Sequence, residues 1–583
     1  MTTTTRQGAP QFPTVSGSIP PSTREEMDTA IETLQAHKDE WVAFSVRERI
    51  ALIDRLMRDF AAIVSRWVDA SIQAKGIAED SLCAGEEWAA GAWPVLKNLR
   101  QLRQALVDIE ADGHPKIPGR VTTRPDGQVA AQVFPQTIYD RLFFEGIRAE
   151  IWMEPGVTVE DLSQTQAIAY RDKQHIGKVA LVLGAGNVAS IGPMDVLYKL
   201  FVEDQVVLFK TNPVNAYSGP LTDVAFRVLV DLGFLRLVYG GAAEGSYLCN
   251  HPGVDEIHIT GSDKTFDAIV FGTGQEGARR KADRQPLLTK RVTGELGNVS
   301  PVIVIPGPWK PGDLAYQAEH IDTMLSNNAG FNCNATRVII QHAGWSQRGQ
   351  LLQEMRRLLT QIPSRVAYYP GAFERHRTFV VEHPEAEQIG ISTEQQLPWT
   401  LIMGVDPENV DDVCFTTESF CSLFAETALE ADTVPEYIDS AVAFANQHLW
   451  GSLNATIIVH PASLKDPTIA AAVERAIANL RYGTVGINYW AGAGFTFGTT
   501  TWGAFPGHEL SNIQSGTGVV HNTLMFSRPQ KSVLWGPFRG ILTPPWFATH
   551  GKTARKLFPK LVAFEAAPSP LKVPGIMAAA LGG

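Results

Sequence analysis

Five cysteines occur in the 583 residues, and they differ sharply in setting: Cys333 lies in SNNAGFNCNATRVII, a polar Gly- and Asn-rich turn between a helical pattern and a strand. A thiol acts as a nucleophile where it is accessible and its thiolate is reachable, so this turn suits an exposed nucleophile. Cys249, Cys414 and Cys421 sit in apolar or strand-like runs and read as inert packing, and Cys83 has no comparable context. Their number is odd and no Cys-x-x-Cys pair occurs, so neither a disulfide framework nor a zinc ribbon is expected. The 14 histidines show no His-x-x-x-His spacing, and no metal is expected. The Gly-x-Ser-x-Gly elbow of serine hydrolases is missing from the sequence.

Two glycine patterns could hold phosphate. Gly184, Gly186 and Ala189 follow the apolar run KVALVL with dinucleotide-fingerprint spacing. However, the next strand, Val206-Val207-Leu208-Phe209, runs into Lys210 rather than the acid that normally holds a ribose. The second pattern, Gly272, Gly274 and Gly277, is followed by the polar run ARRKADRQP, a poor buried crossover helix. Lys210 reads better on its own terms: at the end of a buried strand, its ammonium emerges at the carboxyl edge of a sheet, where ribose hydroxyls or a phosphate would be met.

Positioning these residues requires an alternating framework. From Ser22, followed by Glu25 in a capping box, to about Ile77, apolar residues recur at helical spacing; Arg47 and Arg49 within this stretch read as solvated or structural. Residues 128–157 are rich in β-branched and aromatic types and read as strands. Strand and helix then alternate: 179–183, a helix around 193–203, 206–209, a helix around 221–232, and 257–259. A second series runs from 302 through a helix at 313–327 and a strand at 337–341 to about 488. Such alternation predicts parallel sheets covered on both faces, an α/β fold. Residues 536–583 are Pro-rich, apolar and in places basic, reading as a tail across the surface or a neighbouring subunit; contact of its Trp, Phe and Lys residues with a membrane interface is the second reading.

The run VTGELGNVSPVIVI with SNNAGFNCNATRVII, 38 residues from Glu295 to Cys333, resembles the paired glutamate and cysteine signatures of the aldehyde dehydrogenase superfamily. Further segments carry the same resemblance over residues 23–535: Asn187 stands 23 residues before Lys210, Gly241 and Gly245 precede HITGSDKTF, TTESFCSLF holds Glu418 and Phe420, and YGTVGINYW precedes an aromatic-rich stretch. The resemblance implies a Rossmann-type cofactor domain, an α/β catalytic domain and a small β oligomerisation element. Their expected bounds are a loose arm at 1–22, a cofactor domain at 23–295 with a bridging segment near 128–157, a catalytic domain at 296–507, and a bridging and extension segment at 508–583. It implies Cys333 as covalent nucleophile, the Asn187 amide with the Cys333 backbone N–H as oxyanion donors, and Glu295 as base for the hydrolytic water. It also implies NAD or NADP held by Lys210, Gly241, Gly245, Gly261, Ser262, Glu418 and Phe420, an aldehyde substrate, and a homodimer or homotetramer.

The chain departs from the family in four places. Pro213 stands where NAD-preferring members carry a ribose-binding glutamate, and so a 2′-phosphate is not repelled. Phe331 replaces the usual Gln before the cysteine. About ten extra residues around GTGQEGARRKA read as a surface loop near the cofactor edge, and the tail has no family counterpart. Two competing readings are a CoA-acylating reductase, against which Glu295 argues, and an inactive relative, which would have lost Cys333 or Asn187.

Bulk composition adds exclusions. With 61 acidic against 50 basic residues and a net charge of -11, no basic cluster offers a footprint for nucleic acid. The opening MTTTTRQGAP lacks an apolar core segment and no apolar run reaches spanning length; a reducing cytoplasm is the expected compartment.

Overall fold

The computed structural model describes residues 19–171 and 175–582; residues 1–18 of the expected N-terminal arm lie outside them. The first helix, Arg24–Ala43, begins one residue later than the pattern suggests. Thr23 and Glu26 form its capping box, with Thr23 N–H donating to Glu26 (2.7 Å) and Glu26 N–H to the Thr23 hydroxyl (3.2 Å). Ser22 instead exchanges bonds with the backbone of Tyr239, at the end of a strand in the first sheet. The second helix, Val46–Ala74, is amphipathic and buries Leu52, Ile53, Leu56, Phe60 and Trp67. Its Arg49 is 1% exposed and paired with Asp204 at 2.5 Å, a structural ion pair.

Two sheets follow. The first has six strands in the order Gly516–Thr517, Arg291–Leu296, Glu256–Gly261, Val179–Leu183, Val206–Lys210 and Leu235–Val238. All are parallel except the short Gly516 edge strand. Val179–Leu183 and Val206–Lys210 are buried throughout, as expected of parallel strands covered on both faces.

The second sheet has eleven strands. Its parallel centre contains Thr484–Ile487, Asn454–Ile458, Pro301–Val304, Val338–His342 and Leu423–Leu429. At one side the antiparallel strands Val121–Thr123, Val129–Phe134 and Arg148–Met153 are joined to this centre by Pro529–Trp535. The chain beyond residue 507 therefore returns to both sheets, Gly516–Thr517 in the first and Pro529–Trp535 in the second.

Two expectations change. The extra residues near 272–284 form a helix, Gly274–Ala282, rather than a loop. Glu276 pairs with Arg279 and Arg280 one turn on, and Lys281 reaches Asp267 at 2.6 Å. The tail is also helical: Gly551–Ala566 folds back on the helix Trp93–Asp112, burying Leu557, Phe558, Leu561 and Phe564, and Val573–Leu581 packs against Gly551–Ala566 in turn. Among the described residues, no helix is long and apolar enough to cross a membrane.

Candidate active site

Cys333 sits between the helix Pro311–Ser326 and the strand Val338–His342, on a turn whose approach is unusual. Asn328, Ala329 and Gly330 have φ of 52°, 57° and 82°, so two non-glycine residues in succession occupy the left-handed region. Such backbone persists only where its surroundings over-determine it. Here Asn328 donates through Nδ2 to the carbonyls of Asn187 and Phe331 (both 3.1 Å), and its Oδ1 accepts from Lys75 and from the Tyr368 hydroxyl (both 3.0 Å). Arg337 holds the Gly330 carbonyl at 2.6 Å. The turn that presents the thiol is therefore a fixed platform.

Glu295 stands at the carboxyl end of the strand Arg291–Leu296 and is 3% exposed. The half-buried Cys333 thiol donates to its Oε1 at 3.1 Å. Burial pushes the Glu295 carboxyl up, a shift eased by Cys333 and Trp502. Burial and the Glu295 charge push the Cys333 thiol well up, so the pair keeps its shared proton on sulfur at rest.

Asn187 comes from the turn between the strand Val179–Leu183 and the helix Ile191–Phe201. Its Nδ2 donates to the Phe331 carbonyl at 2.9 Å, which locks the amide beside the cysteine turn and leaves a second N–H on the same nitrogen. Asn187, Glu295, Cys333, Gly261, Ser262, Glu418 and Phe420 all line one cleft.

The other three expected residues form a second group. Lys210, 6% exposed, turns its Nζ onto the Gly240 carbonyl at 2.5 Å, and a Cβ added at Gly245 would lie 3.7 Å from its Cε. Gly241 begins the helix Ala242–Asn250, with Glu244 accepting from its N–H at 2.6 Å. Burial lowers the Lys210 ammonium to about 8 although Glu244 favours the charge.

The polar groups in the cleft fit a dinucleotide. Ser262 caps the helix Asp263–Val270, and Glu418, 2% exposed, has an Oε1 without a hydrogen-bond partner. Burial raises the Glu418 carboxyl to about 7 despite nearby Arg337. Pro213, in place of an acid, starts the short helix Pro213–Ser218, capped by Asn212. The cleft is narrow, about 40 Å3, so seating a nicotinamide ring requires side-chain displacement.

Pattern reading missed several residues. Tyr369 and Ile191 also line the cleft, and a Cβ at Gly186 would stand 2.8 Å from the Tyr369 hydroxyl. Phe331 and Tyr369 stack at 5.8 Å, and Phe420 meets Tyr369 edge-on at 5.0 Å. Tyr369 comes from a distant turn and carried no signal beyond its ring; Phe331 was visible as a departure.

Residues 206–366 match the family model for the aldehyde dehydrogenase family. An N-succinylglutamate 5-semialdehyde dehydrogenase of Sphingopyxis alaskensis is 26% identical over 308 residues, 52% of this chain and 55% of that protein. A human 4-trimethylaminobutyraldehyde dehydrogenase is 29% identical over 139 residues, 23% of this chain and 24% of the relative. The chain thus spans about half, or less, of the length of these curated relatives. An NADP-dependent glyceraldehyde-3-phosphate dehydrogenase from Bacillus halodurans, solved with NADP, superposes with a TM-score of 0.59 at 17% identity, covering 88% of this chain and 92% of that one. An NAD-dependent aldehyde dehydrogenase from Sinorhizobium meliloti gives 0.58 at 16% identity, with 91% and 89% covered. At such identities the structural likeness establishes the fold.

Proposed function

We propose that the chain, whose residues 206–366 match the aldehyde dehydrogenase family model, oxidises an aldehyde to a carboxylic acid with NAD or NADP, through a thioester on Cys333. The observation that carries this reading is the 3.1 Å contact of the Cys333 thiol with Glu295, in the cleft that also holds Asn187.

The thiol gives its proton to Glu295 as sulfur bonds to the aldehyde carbon. The resulting alkoxide is held by the second N–H of Asn187 Nδ2 and the Cys333 backbone N–H, donors fixed before reaction. The dinucleotide, when bound, supplies the hydride acceptor, and Ser262, Glu418, Lys210 and the neighbouring glycines are the residues that would hold it. Glu295, once the thiol's proton has left it for solvent, removes one from water as that water adds to the thioester; the adduct collapses to a carboxylic acid and the Cys333 thiolate, and the acid's proton restores the thiol as the carboxylate departs. Pro213 leaves both dinucleotides admissible. The aromatic cleft suits an apolar aldehyde. Cytoplasmic residence agrees with the five free cysteines, and pairing of copies is assigned to the antiparallel strands beginning at Val121.

Purified protein offered a panel of aldehydes with NAD or NADP, with and without CoA, should reduce the nicotinamide without CoA. No reduction with any aldehyde sinks the reading, and strict CoA dependence favours acyl transfer to CoA, against which the retained Glu295 speaks. Cys333→Ala should abolish turnover, and Asn187→Ala should cost about 100-fold or more in kcat. Glu295→Gln should slow thioester release more than hydride transfer; unchanged steady turnover would assign the base elsewhere.

A further inference from the structure

Behind Glu295, the face of the first sheet beneath the helix Ile191–Phe201 is polar where a buried parallel sheet is normally apolar. Strands Glu256–Gly261 and Arg291–Leu296 pair in register, placing Glu256 opposite Arg291, His258 opposite Thr293 and Thr260 opposite Glu295. Alternation puts these three rungs on one face. The helix answers with Asp195 and Lys199, one turn apart, and Glu203 follows just past its end. Asp195 is 1% exposed and His258 3%.

Contacts join Thr260, Asp195, His258 and Thr293, and Glu295 stands beside Thr260 by strand register. The Thr260 hydroxyl donates to Asp195 Oδ2 at 3.0 Å. The same oxygen lies 3.7 Å from His258 Nε2, and His258 Nδ1 meets the Thr293 hydroxyl at 2.9 Å. Glu295 and Thr260 line the cleft of Cys333. Thr293 lines a different cavity of about 850 Å3, among whose other walls are Tyr198, Glu203, Arg291, Val519 and Asn522. Its rim carries Ile176, 74% exposed, so the cavity meets solvent.

We propose that Asp195 and His258 form a proton path from Glu295 through the interior of the sheet to this second cavity, so that the proton taken from water leaves away from the cofactor cleft. This rests on the proposed hydrolytic role of Glu295. The balance is simple: the Glu295 carboxyl gives its proton toward Thr260 and Asp195, Asp195 passes one to His258 Nε2, and the imidazole releases the proton on Nδ1 through Thr293. One proton reaches solvent per thioester hydrolysed, and the imidazole, left protonated on Nε2, regains its first tautomer by turning its ring over before the next transfer. His258 is suited to this by its two differently placed nitrogens. Three atoms along the route lack hydrogen-bond partners, Glu295 Oε2, Asp195 Oδ1 and His258 Nε2, an arrangement a purely structural network would avoid. Burial and the Glu295 charge push the Asp195 carboxyl well up, while burial, Lys199 and Arg291 lower His258 to about 3 against the opposing charge of Glu203, so both stations are neutral at rest. The groups bearing on these stations are Asp195 and Lys199 from the helix, Glu203 just past its end, Glu256 from one strand, Arg291 and Glu295 from the other, and His521 from the short strand Val520–His521.

The test compares wild type with Asp195→Asn and His258→Gln. With aldehyde and NAD or NADP in excess, the initial burst of reduced nicotinamide should keep its amplitude, while the later steady rate falls about tenfold. Added imidazole should restore part of that rate in His258→Gln. Steady rates equal to wild type from pH 6 to 9 would overturn the path, as would burst and steady rate lost in equal measure. A second readout does not need turnover: the pH midpoint of Cys333 alkylation by iodoacetamide should shift by about half a unit or more in Asp195→Asn, because the thiol reads the charge of Glu295. If no aldehyde is oxidised the functional reading fails by itself, and an unmoved alkylation midpoint then overturns the path independently.

Discussion

Glu418 is costly to fold and useful only when charged, and both consequences can be measured. Its carboxyl is raised from 4.5 to about 7 by burial. A folded value above the unfolded one means that the stability it contributes is fully present below pH 4.5 and is lost as pH rises through 7. The loss is about 3 kcal/mol at 1.36 kcal/mol per unit. Glu418→Gln should therefore unfold at higher urea than wild type at pH 8, and the gap should close at pH 4.5. The same variant should bind dinucleotide more weakly, having lost the charged acceptor offered to ribose hydroxyls. Lys210 imposes the opposite limit, since its ammonium, lowered to about 8, is lost above that pH. Cofactor KM should thus be lowest between pH 7 and 8 and rise on both sides. A flat KM from pH 6 to 9 would remove both residues from cofactor binding.

The cysteine turn shows at the scale of elements what the platform contributes. Gly330 has a φ of 82°, and a Cβ there would stand 2.4 Å from the Cys421 carbonyl oxygen, a backbone atom that cannot swing aside. Gly330→Ala should displace the turn, cutting kcat about 100-fold and lowering the melting temperature by several degrees. Wild-type kinetics in that variant would show that the turn tolerates movement. Local spacing predicted the alternating elements well: Val179–Leu183 is the expected strand to the residue, and Pro311–Ser326 begins two residues before the pattern. Cys333, Glu295 and Asn187 could be named because motifs around them carry chemical constraints in consecutive residues. What stayed hidden was relational. The polar rungs His258–Thr293 and Thr260–Glu295 arise from strand register, which one strand read alone does not contain. The helix Gly274–Ala282 was obscured by its polarity, because its support comes from ion pairs and not an apolar face.

Across the whole molecule, the tail joins distant parts through one buried carboxylate. Glu565, 5% exposed, accepts from Arg100 at 2.5 Å and Trp93 Nε1 at 3.3 Å, and lies 3.9 Å from Lys97 Nζ. Lys97 is fully buried, and its second carboxylate, Asp140 at 3.5 Å, comes from the helix Ile138–Phe143 beside the antiparallel strands. The Trp93–Asp112 helix in turn holds the Phe497 carbonyl through Gln101 at 2.7 Å, and Phe497 precedes the segment that brings Trp502 to Glu295. The tail thus supports the back wall of the active site through Trp93–Asp112. Glu565→Gln removes one partner of a buried charge and should cost about 3 kcal/mol or more. Deleting residues 541–583 also removes Leu557, Phe558, Leu561 and Phe564 from the apolar bed they cover, a burial worth roughly 8 kcal/mol at about 2 kcal/mol per side chain. The truncated chain should melt well below Glu565→Gln and lose turnover before it loses cofactor binding, because the tail's polar links run through Trp93–Asp112 toward Phe497 and none is made to Lys210, Gly241 or Gly245. Equal melting temperatures for the truncated and full-length chains would show that the tail only covers the surface; loss of binding and turnover together would show that it supports the entire first sheet.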